Sequence, residues 1–178
     1  MTDKKSNRLN NIIKDLGSDD KSKVLTAIKQ LRKHGNRMAI LPLIELLNTS
    51  KDDEITADLI QLLYDLKDQA VVDDLITAIE DETYAPVKAV LISIFWQSKL
   101  DGSDYLNTFI QQAIHGDYAT AIEVMTVIDN LDASFDEEEI SNLRFDLDDA
   151  LQYEEDEEKA KLLATIQRSL NELNIEYD

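Results

Sequence analysis

Between Asp132 and Glu158, thirteen carboxylates stand against one base, Arg144, a net charge of −12 over 27 residues. Carboxylates in such number could ligate a cation, move protons, or dock a positively charged partner. The first two uses need a defined geometry. A calcium loop alternates oxygen ligands around a central glycine and ends on a glutamate; neither Asp101 to Asp104 nor Asp146 to Glu158 has that spacing. Acid pairs are so numerous that none singles out a general acid and its base. The third use needs only a shared face. Glu138, Glu139, Asp146 and Asp149 fall at helical spacing on one ridge, with Asp148 beside it, and such a ridge could receive lysines and arginines. The alternative is a solvated surface that keeps the chain soluble. Asp136 to Glu139 would in any case be favoured in the first turn of a helix, where the dipole is positive.

Other reactive side chains are few. His34 and His115 each precede a glycine, so both read as cations in a last helical turn beside unsatisfied carbonyls, and not as catalytic bases. The chain has no cysteine, hence no thiol nucleophile, thiolate zinc site or disulfide. It has no glycine-rich phosphate loop and no G-x-S-x-G elbow. A non-enzymatic protein without cofactor or metal is the expectation.

Eighteen basic and 37 acidic residues give a net charge of −19, which repels phosphate backbones and anionic headgroups. Neither nucleic acid nor membrane is therefore an expected partner. The longest apolar stretch, Ala89 to Trp96, is too short to span a bilayer, and no apolar run follows the polar start, so a cytoplasmic location is expected. Charge is uneven along the chain: residues 1–37 hold ten basic and four acidic residues, and the remainder carries −25. Lys21, Lys29 and Lys33 share a helix face, with Arg32 beside it and Arg37 in the next turn. They read as solvated cations or as a contact for an anion or acidic peptide. A basic end and an acidic end could also attract, giving a monomer with weak, salt-sensitive self-association.

These residues must be positioned by helices. Apolar residues recur at spacings of three and four nearly throughout, and period-two alternation is never sustained. The pattern predicts ten helices, at 6–16, 20–34, 39–48, 53–65, 70–80, 84–99, 104–115, 117–131, 136–152 and 155–173. Gly17, Gly35, Gly102 and Gly116 fall between them, where left-handed C-terminal caps are expected. Pro42 and Pro86 fall in predicted first turns, and Ser134 with Glu137 has the spacing of a capping box, as more loosely does Ser50 with Asp53.

A period appears on shifting by 32 residues. Leu25 then falls on Ala57, Ala89 and Ala121; Ile28 on Ile60, Ile92 and Val124; Leu31 on Leu63, Phe95 and Val127. In the intervening helices Leu43, Leu46 and Leu47 fall on Leu75, Ala78 and Ile79, and after 35 further residues on Ile110, Ala113 and Ile114. The extra three residues belong to the turn around Asp101 to Asp104. Helix pairs that cannot bury their apolar faces alone stack into an α-solenoid. Leu9, Ile12, Ile13 and Leu16 on the first helix, and Leu163, Ile166, Leu170 and Leu173 on the last, suit end caps.

The segments Gly35 to Leu47, GNRMAILPLIELL, and Lys67 to Ile79, KDQAVVDDLITAI, resemble the turn and second helix of bacterial HEAT or HEAT-like (bilin-lyase-type) repeats. The resemblance implies an all-α, right-handed α-solenoid of four to five helix pairs spanning 1–178 as one domain. Residues 1–19 would be an N-terminal cap, 20–131 regular repeats, and 132–178 an acidic C-terminal repeat and cap. It also implies a protein-binding scaffold whose concave face is lined by the second helices. Facing outward there would be Glu45 and Asn48; Asp73, Thr77 and Glu80; Thr108, Gln111 and Gln112; and Glu139, Asn142, Asp146 and Asp149. That face is polar to acidic and would select a basic protein or peptide. Two other functions stay open: an inhibitor or immunity-type protein that blocks a basic, nucleic-acid-acting enzyme, and a HEAT-like enzyme of the bilin-lyase or DNA-glycosylase type. Trp96, the single tryptophan, reads either as packing between repeats or as a surface anchor for a partner.

Overall fold

The computed structural model describes the backbone of residues 2–176 and the side chains of residues 7–176, so that Lys4 and Lys5 of the basic head lie outside the described side chains. Among the described residues the chain is 78% helical, with ten α-helices and two short strands. It packs as two compact units, residues 1–87 and 88–178. The first holds α1 (Thr2–Asp15), α2 (Lys21–His34), α3 (Ile40–Thr49), α4 (Asp53–Tyr64) and α5 (Val72–Glu80). The second holds α6 (Lys88–Ser98), α7 (Leu106–His115), α8 (Tyr118–Asp129), β1 (Ser134–Asp136), α9 (Glu137–Tyr153), α10 (Glu157–Leu170) and β2 (Asn174–Glu176).

Capping accounts for where the helices begin, and aspartate does most of it. Asp20, Asp52, Asp117, Asp136 and Asp156 each precede a helix and accept from its first free N–H groups. Each such cap contributes about 1 kcal/mol. The serine caps expected from spacing are not used: Ser134 lies in β1, while Ser50 accepts from the N–H of Asp52, the actual cap. A second family of caps precedes the 3₁₀ turns that lead into α3, α5 and α7. The side chains of Asn36, Asp68 and Asp101 accept from the N–H two residues on, at 2.9, 3.1 and 3.0 Å. Pro42 lies in the first turn of α3, whereas Pro86 lies in the 3₁₀ segment Glu82–Val87 ahead of α6.

No glycine has a positive φ, so the left-handed caps expected of them do not form. Three are required by close approach instead. A Cβ on Gly35 would lie 2.6 Å from the Leu31 carbonyl oxygen, and one on Gly116 would lie 2.5 Å from that of Gln112. A Cβ on Gly102 would strike the rings of Phe109 and Phe95 at 2.8 and 2.9 Å. The left-handed cap falls to Lys99, with φ 58°, after α6, and the N–H of Leu100 reaches back to the Phe95 carbonyl at 3.1 Å. A side chain there costs about 1–2 kcal/mol. Glycine loses more backbone freedom on folding, which offsets part of that. Lys99→Gly is therefore expected to raise stability by about 0.5–1 kcal/mol, read as a higher urea midpoint with unchanged slope.

In the first unit α1 packs on α2, α2 on α4, and α3 on α5. In the second, α6 and α10 both pack on α8, α7 on α8 and α9, and α10 on α9. Of the repeat columns, Leu31, Leu63, Phe95 and Val127 are all buried, and Ile28, Ile92 and Val124 are buried with Ile60 half-buried. The column beginning at Leu25 reaches the core only at Ala121, since Ala57 is exposed and Leu25 and Ala89 are half-buried. Its place is taken by Ala27, Leu59 and Leu91, two residues on. Leu9 and Ile12 are buried on α1 and Leu16 just past its end, Leu163, Ile166 and Leu170 are buried on α10, and Leu173 lies past the end of that helix. The strands were not expected. They pair in parallel, Phe135 opposite Ile175, and three residues each is too short for alternation to register in a sequence.

Candidate functional site

The basic head is used within the first unit. Lys21 bridges Asp52 at 2.9 Å and Glu54 at 2.8 Å, Arg32 pairs with Asp65, and Arg37 grips Asp74 with two hydrogen bonds of 2.6 and 3.0 Å. The two carboxylates push the Lys21 ammonium up to about 12, chiefly through the hydrogen bond it donates to Asp52. These cations tie one helix pair to the next, so an anion site built on Lys21, Arg32 and Arg37 does not form. Lys29 and Lys33 remain on the exposed side of α2. In the same unit Glu45 on α3 and Asp73, Thr77 and Glu80 on α5 are exposed. Asn48 is not available for binding, because its amide donates to the Thr83 carbonyl at 3.0 Å.

The acidity is concentrated in the second unit. Residues 1–87 hold twelve basic and sixteen acidic residues, whereas residues 88–178 hold six basic and twenty-one acidic ones, a net −15. Many of these acids have structural duties. Asp136 and Asp156 cap helices, Glu137 to Glu139 and Glu157 to Glu158 lie in first turns at the positive dipole end, and Asp148 accepts from Gln167 at 2.8 Å. Glu154 is paired with Lys159 at 3.0 Å.

What remains lies on the outer face of α9. Ile140, Leu143 and Leu147 turn inward, which directs Asn142, Asp146 and Asp149 outward with Glu139 at the margin. Phe145 and Tyr153 share that outer face and are 71% and 76% exposed. They were missed in the sequence reading, although both are out of phase with the apolar stripe. Phe145, Asp149 and Tyr153 follow one another at intervals of four residues. Between α9 and α7 lies a groove of about 450 Å³, bordered by Phe145, Asp146, Asp149 and Tyr153 on one side and Gln111, Ile114 and His115 on the other. Gln111, and not Gln112, faces α9: its amide donates to Asp146 at 2.8 Å and orients that carboxylate. Thr108 and Gln112 are half-buried and do not border the groove. Among the described residues no Lys or Arg pairs with Asp146 or Asp149.

One end of the groove is held by Lys159. Its ammonium, 12% exposed, donates to the Ile114 carbonyl at the end of α7 at 2.8 Å and meets Glu154 at the end of α9. The Glu154 carboxyl is held below its ordinary value, first by the N–H of Asp156 and then by Lys159. Asp117 is likewise lowered, first by the N–H of Thr120, with the Lys159 charge contributing. His34 and His115 are the final residues of α2 and α7. Trp96 is half-buried, and its indole N–H donates to Glu123 at 2.8 Å, which makes it neither a plain core residue nor an open anchor. Among the described residues no three His, Asp or Glu side chains converge where they could hold a metal ion, and no helix is long and apolar enough to cross a membrane. No protein-family model matches the chain, and no curated protein matches it.

Proposed function

We propose that this chain is a short right-handed α-solenoid of HEAT-like helix pairs and serves as a non-enzymatic binding module for a basic protein or peptide. The outer face of α9 is the primary contact. The observation that carries the reading is the carboxylate pair beside the groove, half-buried Asp146 and exposed Asp149, without a cationic partner among the described residues, in a unit of net charge −15. Asn36, Asp68 and Asp101 supply equivalent caps 32 and 33 residues apart, which supports the repeat.

An arginine-rich or lysine-rich peptide titrated by calorimetry at low and high salt tests this. Binding at low salt should weaken at least about tenfold when salt shortens the screening length from ~30 to ~8 Å. The Asp146→Asn/Asp149→Asn double variant should lose most of both the affinity and the salt dependence. No binding at low salt, or binding indifferent to these two residues, would overturn the proposal.

A further inference from the structure

The geometry points to the groove beside α9 as a slot for an extended peptide segment bearing arginines at alternate positions, its guanidinium groups stacking on Phe145 and Tyr153. This rests on the reading of a basic partner above and specifies the partner's conformation and side chains. Phe145 and Tyr153 are separated by eight residues of helix, about 12 Å along the axis, with Asp149 midway. Alternate side chains of an extended strand repeat every ~6.7 Å, so residues i, i+2 and i+4 cover about 13 Å on one face. The outer two then lie over the rings and the middle one at Asp149.

A helical partner fits less well. A helix reaches the same three positions only through residues i, i+4 and i+8, over nine residues, whereas an extended segment does so within five. Arginine suits these walls better than lysine. Its flat guanidinium can lie on an aromatic face while its N–H groups meet a carboxylate in the plane. Asp146, oriented by the amide of Gln111, is a fixed acceptor of that kind. Both rings are mostly exposed in the unbound chain, so stacking removes apolar surface from water as well as pairing charge.

The test uses the full chain and three synthetic peptides: arginine at every second position, lysine at the same positions, and the arginine composition with its arginines contiguous. The alternating arginine peptide should bind about fivefold more tightly than either control. Phe145→Ala/Tyr153→Ala should lower its affinity about tenfold and abolish the preference over lysine, with thermal unfolding unchanged because neither ring is packed. Tyr153→Phe should bind as the parent does. Equal affinity for all three peptides, or a double alanine variant that binds as well as the parent, overturns the slot while leaving the acidic-face reading in place. No binding by any peptide at low salt overturns both.

Discussion

Phe109→Ala should lower the unfolding free energy by about 4 kcal/mol, seen as a fall in the urea midpoint. Phe109 is fully buried and meets Phe95 edge to face, with ring centroids 5.0 Å apart and planes at 80°. The pair joins α6 to α7 within the second unit and closes over Gly102, which has no Cβ to intervene. Truncation therefore removes transfer energy, the edge-to-face contact and the filling of a site that cannot easily collapse, because the turn at Asp101 to Gly102 is held by its own cap. Phe109→Leu keeps most of the volume and should cost about half as much. A loss below ~1 kcal/mol for the alanine variant would contradict this packing.

Lys159→Met should cost about 2–3 kcal/mol and leave a stability that depends less on acid than the parent's does. Lys159 and Glu154 form an ion pair whose side chains are only 12% and 17% exposed. Methionine restores much of the stem's packing but leaves the Ile114 carbonyl without its donor and Glu154 without its cation. Because Glu154 and Asp117 are both held below the usual carboxylate range, their contribution is complete above their unfolded values. It is lost as pH falls through the lowered folded ones. The parent's stability should accordingly fall on acidification below about pH 4.5. In Lys159→Met that acid-dependent loss should begin at the same pH, be complete at a higher one and be smaller, because the lysine's share of the depression is gone. Identical pH profiles would show that Lys159 does not act through these carboxyls. The same variant should weaken binding in the groove beside α9, since Lys159 joins the two helices that form it.

The ten helices and their order were legible in the residues, because an amphipathic helix writes its inward face as apolar positions at spacings of three and four, and these helices bury such faces. Four apolar residues at the 32-residue spacing, Leu31, Leu63, Phe95 and Val127, are all buried. The acidity of α9 could also be read directly; that Asp146 is half-buried beside Gln111 could not. Contacts between residues distant in the chain could not. Glu123 falls in the column of Ala27, Leu59 and Leu91, yet it takes the Trp96 indole proton where those pack against hydrocarbon. Gly102 and Gly116 looked like conformational caps and are instead demanded by neighbours that a Cβ would strike. Lys21, Arg32 and Arg37 looked like a free basic face until the helices carrying Asp52, Asp65 and Asp74 were placed against them. Phe145 and Tyr153 counted as apolar letters in a helical segment, and only the packing of Ile140, Leu143 and Leu147 leaves them facing water. Periodicity reports which side of a helix is apolar. Which groups meet across helices depends on distances that no local pattern encodes.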